Sequence, residues 1–549
     1  MFHKQKIFML NYVMKKKQLT TILPNILVTI CCIISIGLSV IESRVNIDAH
    51  HWGLMYANAA DLNRGFIPYK EIFIQYGFLT TFIQSLSLNI FSNTVVSVGV
   101  ITGIFYAANI YISYFLWQKI LNRWLAALSS VLMFLVHGYI IYPWANYFSY
   151  TFLLISLLFL TASSQKKIKY LLAGVFLGLS FLARQQLLFT LPSFYLYFLL
   201  VYICSEQNLR KIYLRNVVTF HVGMIAVIGT FLLYVIKESA FGDWVNQSFT
   251  IALFYGRFLA PGNILRFFKA IILPFDGDGR LLLYSIIFLN ALIIFIRIGF
   301  LRRIWEVKGF QGKIQERESI LFLFSATTLF GYLQSLHIYE VFRLQSSSAL
   351  GFGLLIFSLV KLLKRFKKWE SLVFTISFSP LFFYLILTLV AHKTSSVYFP
   401  WNQRLLLSHQ LKQPENIEML QNKLYDEKTR IYYQTLTETM NGYNCKLEYL
   451  VNFTSNSYIP FLSKSFKRVQ ISPFYDMKMS KIIFQDEHVK ISRLLLQEKA
   501  LLITSDNIKI PENYHVVLEV KNSQIPYFDN DTTYIAAPKA LSSICRVEK

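Results

Sequence analysis

The sequence predicts a mainly α-helical, multi-pass transmembrane bundle of about eleven spans with a small external C-terminal α/β domain. Of its 549 residues, 54% are hydrophobic and only 15% are charged, whereas a soluble domain has about 25% charged residues. The mean hydropathy is +0.44, and several apolar stretches approach the roughly 20 residues that cross a bilayer. These stretches end near residue 393, and a polar segment follows them.

The apolar stretches divide the chain into three parts. Residues 1–20 form a cytoplasmic N-terminal segment, residues 21–392 the transmembrane domain, and residues 393–549 the external domain. The first stretch follows the basic run Lys15–Lys17, but it is long and lacks a small-residue cleavage site, so we interpret it as an uncleaved helix. The predicted spans are 21–41, 94–117, 124–142, 147–163, 169–183, 187–204, 216–236, 281–301, 319–336, 348–363 and 371–391.

Segment 73–92 is apolar, but it carries polar residues such as Gln75 and Gln84, so its relation to the bilayer is ambiguous. Basic residues concentrate in the cytoplasmic loops of membrane proteins. Suppose that the N-terminus is cytoplasmic and that 73–92 does not cross the bilayer. Every dense basic cluster then lies on the cytoplasmic side, whereas a crossing at 73–92 would move the later clusters outside. The charge pattern therefore predicts eleven crossings, a first external loop at 42–93 and an external C-terminal tail.

The C-terminal residues 400–549 are rich in Asn, Gln, Lys, Glu and Ser. Alternation of strand-like and helical patterns indicates a small α/β domain. The strand-like runs are 430–434, 447–451, 501–504 and 516–520, and the helical patterns are 414–425 and 477–496. Cys445 and Cys545 lie in this part, and whether they pair is open.

Several classes of function are not expected. The net charge is +24, but the basic residues lie between apolar spans, as in other membrane proteins, so no nucleic-acid partner is predicted. The chain contains no Walker loop, no Gly-x-Gly-x-x-Gly after a strand and no His-Glu-x-x-His. A pump driven by ATP is therefore not expected, and an enzyme would take its donor substrate from the membrane.

The most informative polar segment is the first external loop, where Asp48 is followed by His50 and His51. Asp48 is a favoured residue type for capping the helix predicted over 48–64, and it is also a candidate general base for an acceptor hydroxyl. The two roles compete, because a capping carboxylate is already hydrogen-bonded. His50 and His51 are candidates for positioning the acceptor; a metal site with Asp48 is the weaker alternative, because adjacent side chains diverge.

Two arginines outside the basic clusters, Arg184 and Arg343, lie on the same predicted external face. Each could extend to the membrane interface or bind phosphate oxygens in bidentate fashion. Asp276 and Asp278 lie in a glycine-rich loop, which favours a turn over a divalent-cation site. The remaining substrate-binding candidates on this face are Tyr69, Lys70, Gln185, His337 and Tyr339.

The first external loop resembles the opening of the GT-C glycosyltransferases. The residues that carry the resemblance are Asp48, Trp52, Tyr56, Ala57, Ala60, Leu62, Gly65, Pro68 and Tyr69. Members of this superfamily, such as protein O-mannosyltransferases and lipid A aminoarabinose transferases, take a sugar from a polyprenyl-phosphate carrier. Many have a second acidic residue where this chain has Ala49. The resemblance implies that Asp48 is the catalytic base and that external basic residues bind the carrier phosphate, with a divalent metal cofactor left open.

The expected reaction is hexosyl or pentosyl transfer with inversion. Arg184, Arg343 or Lys70 would neutralise charge on the phosphate leaving group, and a carboxylate would activate the acceptor hydroxyl. We expect a glycan, lipid or protein acceptor in cell-envelope glycan biosynthesis, at a bacterial inner membrane with the site facing outward. The alternatives are an envelope-polysaccharide polymerase or ligase, with its polar residues in loop 237–280, and a lipid-linked-sugar transporter.

Overall fold

The structure is a computed structural model. It describes residues 2–137, 141–162, 166–250, 263–272, 279–301, 316–336, 341–365, 408–444, 446–473, 485–505, 508–521 and 532–541. Several sequence predictions fall outside these residues. They concern the span 371–391, His337, Tyr339, Asp276, Asp278, Cys445 and Cys545.

Helices make up most of the described chain before residue 366. They are α1 (Phe2–Val45), α2 (His51–Asn63), α3 (Phe78–Ile90), α4 (Val95–Trp117), α5 (Arg123–His137), α6 (Ala145–Leu160), α7 (Lys167–Ala183), α8 (Leu191–Ile203), α9 (Gln207–Lys237), α10 (Phe241–Val245), α11 (Asn263–Ile272), α12 (Gly279–Ile296), α13 (Glu316–Tyr332), α14 (Val341–Ser347) and α15 (Ala349–Leu363). A 3-10 helix (Gln185–Thr190) precedes α8, and a π-helical turn (Asn246–Thr250) follows α10.

Each predicted span from 21–41 to 348–363 overlaps one of these helices. By length and composition, five helical segments of the described chain suit a membrane crossing. They are Ile22–Val45, Val95–Trp117, Gln185–Ile203, Gln207–Lys237 and Arg280–Gly299. Other predicted spans coincide with shorter apolar helices such as α5, α6 and α15. The total of eleven crossings stays a prediction.

The ambiguous segment 73–92 contains only the short helix α3. Its 13 residues extend over about 20 Å at roughly 1.5 Å per residue, less than the hydrocarbon core of about 30 Å. One face of α3 is buried, with Thr81, Gln84 and Leu88 among its inward residues. Predicted spans such as 124–142 also coincide with helices of fewer than 18 residues, so the absence of a crossing at 73–92 stays a prediction.

Helices α7 and α9 pack with their backbones in contact, because glycines occupy the interface. A Cβ atom on Gly174 would lie 1.9 Å from the carbonyl oxygen of Phe220, and one on Gly223 would lie 2.2 Å from that of Leu171. Small residues allow such close approach between membrane helices. This contact fixes the position of α7, whose C-terminal end carries Arg184.

The C-terminal part contains a five-stranded sheet of strand order β2-β1-β3-β5-β4. Its elements are α16 (Glu427–Tyr443), β1 (Tyr449–Phe453), α17 (Ile459–Leu462), β2 (Lys467–Arg468), α18 (Gln485–Leu496), β3 (Ala500–Ser505), β4 (Tyr514–Lys521) and β5 (Thr532–Pro538). Strand β1 pairs parallel to β2 and β3, whereas β5 pairs antiparallel to β3 and β4. The predicted strands at 447–451, 501–504 and 516–520 correspond to β1, β3 and β4.

The predicted strand at 430–434 is wrong, because these residues lie in α16. The aromatic run that suggested a strand instead follows helical spacing, with Tyr432, Leu436 and Met440 buried at intervals of four residues. The carboxylate of Asp426 caps this helix by accepting a hydrogen bond from the backbone N–H of Thr429 at 2.9 Å. The predicted helix at 414–425 contains only the 3-10 turn Glu418–Leu420.

Candidate active site

Asp48 lies in the loop between α1 and α2, and its carboxylate binds the start of α2. Oδ1 accepts hydrogen bonds from the backbone N–H groups of His50 and His51, each at 2.9 Å. The backbone N–H of Asp48 donates to Oδ1 of Asn46 at 2.7 Å, which fixes the loop. The capping role considered for Asp48 is therefore present in the structure.

The second carboxylate oxygen of Asp48 has two further partners. Oδ2 accepts a hydrogen bond from the hydroxyl of Tyr142 at 2.7 Å and lies 2.8 Å from Nδ1 of His51. The side chain of Asp48 has 0% exposure. Burial alone would raise the pKa of Asp48, but the charges and hydrogen bonds of His51 and His50 outweigh it and lower the pKa to about 2. Asp48 is thus an ionised, fully hydrogen-bonded carboxylate.

Two buried ionisable residues that the sequence reasoning missed lie close to this loop. Glu42, in the last turns of α1, accepts a hydrogen bond from the backbone N–H of Ile141 at 2.6 Å. The ammonium of Lys423 donates to the carbonyl oxygens of Ser43 and Asn46 at 2.9 and 2.7 Å. Both side chains have 0% exposure. An acid at the end of an apolar span is a recognisable signal of function, whereas nothing in the sequence around Lys423 indicates its position.

Aromatic rings connect the Asp48 loop to the predicted arginines. The ring of Trp144 lies 5.6 Å from those of His51 and Tyr142. The guanidinium carbon of Arg343 lies 6.0 Å from the centroid of the same Trp144 ring. His51 and Arg343, which are almost 300 residues apart in the sequence, therefore both lie beside one indole ring.

Arg184 follows α7 directly, and its side chain is only 3% exposed. Its Nε and Nη2 atoms donate to Oε1 of Gln186 at 3.1 and 2.5 Å, and its guanidinium carbon lies 5.8 Å from the ring centroid of Tyr76. Burial and the nearby positive charge of Arg343 lower the pKa of Arg184 to about 10, so it remains a cation at neutral pH. Within the described part of the chain, Arg184 forms no ion pair with a carboxylate.

Three predicted substrate-binding residues form hydrogen bonds with the region around α10, away from Asp48. The carbonyl oxygen of Tyr69 accepts a hydrogen bond from Nε2 of Gln247 at 2.5 Å. The amide of Gln185 donates to Oγ of Ser248 at 3.1 Å, and the ammonium of Lys70 donates to the carbonyl oxygen of Glu238 at 3.3 Å. These contacts join the first external loop and the start of the 3-10 helix to the region around α10. They are not part of the Asp48 hydrogen-bond network.

His50 faces the C-terminal part of the chain. Its Nδ1 atom lies 3.3 Å from the carbonyl oxygen of Ser455, and its own carbonyl oxygen accepts a hydrogen bond from Ser457 at 3.3 Å. The rings of His50 and His51 meet edge to face, with their centroids 5.0 Å apart. The described residues contain no group of three His, Cys, Asp or Glu side chains arranged to hold a metal ion.

The first external loop and α2 also bind the C-terminal part through a buried ion pair. Nη2 of Arg468 lies 2.5 Å from Oδ2 of Asp61, with side-chain exposures of 13% and 3%. Trp52 and Met55 of α2 share a hydrophobic core with Leu420 and Tyr458. The C-terminal part is thus fixed next to the loop that carries Asp48.

Arg468→Ala is expected to destabilise this contact by about 3 kcal/mol, because the Asp61 carboxylate would be buried without its principal partner. The readout is the melting temperature of the detergent-solubilised protein, together with the rate of proteolysis within the C-terminal part. The neighbouring Lys467→Ala is the control. Lys467 pairs with Glu448 at 2.6 Å, but both side chains are more than half exposed, so its loss should have little effect on stability. Equal effects of the two substitutions would contradict a structural role for the Asp61–Arg468 pair.

No protein-family model and no curated protein sequence matches the chain. Among solved structures it is similar to ArnT from Cupriavidus metallidurans bound to undecaprenyl phosphate, with a TM-score of 0.53 and 10% identity over 94% of this chain and 97% of that chain. For ArnT in the apo state the TM-score is 0.52, with 10% identity over 93% and 97% of the two chains. An oligosaccharyltransferase from Archaeoglobus fulgidus has a TM-score of 0.41 and 13% identity over 80% of this chain and 57% of that chain.

The similarity to ArnT extends over nearly the full length of both chains. ArnT is a lipid A aminoarabinose transferase and a GT-C enzyme. The resemblance recognised in the first external loop is therefore confirmed at the level of the fold. The chain is an integral membrane protein whose fold is similar to that of ArnT.

Proposed function

We propose that the protein is a membrane glycosyltransferase that moves a hexosyl or pentosyl group from a polyprenyl-phosphate carrier to an envelope glycan, lipid or protein, with inversion. The reaction takes place on the non-cytoplasmic face of a bacterial inner membrane. The observation that carries the proposal is the buried Arg184, which lies near a second cation, Arg343, and forms no ion pair in the described chain. The ArnT fold supports it, since one ArnT crystal structure contains undecaprenyl phosphate.

A buried cation without an anionic partner is costly unless a ligand supplies the opposite charge. A carrier phosphate fits this need, because its oxygens accept two parallel hydrogen bonds from one guanidinium group. Arg343, next to Trp144, adds positive charge at the same place. The two arginines would bind the phosphate in the ground state and stabilise the additional charge on it as the sugar leaves.

Asp48 and His51 form a hydrogen-bonded pair near Trp144, and we assign this pair to the acceptor side of the proposed site. A sugar placed beside the indole ring would have its phosphate towards the arginines and the attacking hydroxyl towards Asp48 and His51. Single displacement with inversion requires the attacking and leaving groups on opposite faces of the sugar. Six other residues remain proposed contacts to the rest of the substrates. They are His50, Tyr69, Lys70, Gln185, His337 and Tyr339.

Deletion of the gene is expected to make a polyprenyl-phosphate-linked sugar accumulate, because the donor would no longer be consumed. Mass spectrometry of the membrane lipid extract identifies this lipid. Purified protein added to the extract should then consume it and release polyprenyl phosphate. Accumulation of partly built polysaccharide on its carrier would instead favour a polymerase or ligase. Donor that accumulates only in the cytoplasmic leaflet would favour a transporter.

A further inference from the structure

We propose that His51 is the residue that takes the proton from the acceptor hydroxyl and that Asp48 is its positioning residue. The inference rests on the proposed glycosyl transfer and assigns one step within it. Three observations carry it: the hydrogen bonds that occupy Asp48, the orientation of the His51 ring, and the position of that ring beside Trp144.

Asp48 is poorly placed to take the proton itself. Both of its oxygens already have two partners, and these partners are the backbone N–H groups of His50 and His51, the Tyr142 hydroxyl and Nδ1 of His51. An acceptor hydroxyl would have to displace one of them from a side chain with 0% exposure.

His51 has the orientation that Asp48 lacks. The ionised carboxylate can only accept a hydrogen bond, so Nδ1 of His51, 2.8 Å away, carries the hydrogen. In the neutral imidazole the lone pair is then on Nε2, at the edge of the ring that faces away from Asp48. The side chain of His51 is 15% exposed. A base oriented by a carboxylate in this way is the usual arrangement for activating a hydroxyl group.

Several charged and titratable groups of the described chain lie near His51. Asp48 and His50 lie in its own loop, and Tyr142 lies before α6, with its ring 5.6 Å from that of His51. The guanidinium carbon of Arg343 lies 6.0 Å from the ring centroid of Trp144, and the His51 ring also neighbours Trp144. We place the sugar beside this indole ring.

In the proposed step, Nε2 of His51 takes the proton of the acceptor hydroxyl while the hydroxyl oxygen bonds to the anomeric carbon. The bond from that carbon to the phosphate oxygen breaks, and its electron pair leaves with the polyprenyl phosphate beside Arg184 and Arg343. The imidazolium then gives its proton to water, which restores the neutral ring for the next cycle.

The test is His51→Asn in the full-length protein, assayed as consumption of the sugar lipid in the extract of the deletion strain. Asparagine places an amide N–H near the position of Nδ1, so the hydrogen bond to Asp48 is kept while the basic nitrogen is removed. We expect consumption to fall by about 100- to 10,000-fold, with binding of undecaprenyl phosphate in native mass spectrometry unchanged. His515→Gln, at an exposed position of β4, is the matched control and should keep the wild-type rate.

One further measurement separates a catalytic role from a structural one. Added imidazole should partly restore consumption by His51→Ala, because a small base can occupy the vacated position. A residue that only supports the loop would not be rescued in this way.

The outcomes distinguish this inference from the proposed function. If the wild-type protein consumes the sugar lipid and His51→Asn keeps a comparable rate, the protein is a glycosyltransferase in which His51 is not the proton acceptor. Loss of undecaprenyl phosphate binding together with consumption would also overturn the assignment, since His51 would then be structural. If the wild-type protein consumes no lipid-linked sugar, the proposed function is wrong and the assignment fails with it.

Discussion

Asp48→Asn is expected to lower the transfer rate by about 10,000-fold, the effect that loss of the orienting carboxylate has in a catalytic triad. The amide oxygen can still accept hydrogen bonds from the backbone N–H groups of His50 and His51, so α2 stays capped. The amide NH₂ group would then face Nδ1 of His51 and the hydroxyl of Tyr142, which both meet Oδ2 in the wild-type protein. His51 can accept from this NH₂ only by moving its hydrogen to Nε2, which removes the lone pair needed for the reaction.

The measurement is consumption of the lipid-linked sugar by purified protein, together with binding of undecaprenyl phosphate. The rate should fall while binding is kept, because the substitution leaves Arg184 and Arg343 unchanged. Asp486→Asn provides a matched control, since Asp486 is an exposed acid in the first turn of α18. Near-wild-type transfer by Asp48→Asn would exclude Asp48 both as base and as positioning residue.

The helices of the transmembrane part could be predicted from the sequence because the bilayer imposes a simple rule. Every backbone polar group in the hydrocarbon must be satisfied within the segment, so a long apolar stretch is a helix. The predicted span 94–117 accordingly matches α4, Val95–Trp117. The same rule does not apply to the C-terminal part, where residues 430–434 were predicted as a strand and are helical.

Part of the proposed site could also be predicted from the sequence, because the first external loop carries its polar residues close together. The sequence indicates Asp48, His50 and His51 as neighbours, and hydrogen bonds join Asp48 to both histidines. It indicates Arg184 and Arg343 by their charge alone, and it does not show that they approach each other or that Trp144 lies beside Arg343. Such contacts depend on how distant helices pack.

The C-terminal contribution to the site could not be predicted, because its signals are weak and remote. Lys423 donates to carbonyl oxygens near the end of α1, almost 400 residues earlier in the chain. Ser455 and Ser457 contact His50 through ordinary polar groups. None of these residues stands out from the polar composition around it. The loop that carries Asp48 is therefore shaped by residues whose role appears only in the folded protein.

Arg184→Gln is expected to weaken binding of undecaprenyl phosphate by about 10- to 100-fold. A hydrogen bond to a charged group contributes about 1.5–3 kcal/mol, and about 1.4 kcal/mol corresponds to a factor of ten in affinity. Sugar transfer should fall further than binding, because the phosphate gains charge as the sugar leaves and the buried guanidinium is no longer there to stabilise it. Binding is measured by native mass spectrometry or by titration in detergent.

Two comparisons separate the charge of Arg184 from its shape. Arg184→Lys keeps the charge but not the planar pair of N–H groups, so its affinity should lie between those of the wild type and Arg184→Gln. Arg493→Gln, on the exposed surface of α18, should bind as the wild type does. If Arg184→Gln also binds normally, Arg184 is a structural cation held by Gln186 and Tyr76, and the proposed phosphate site loses its principal support.

If Arg184 and Arg343 hold one phosphate together, Arg184→Gln and Arg343→Gln should show non-additive effects on binding when combined, because the remaining guanidinium would no longer act on a phosphate held in the same position.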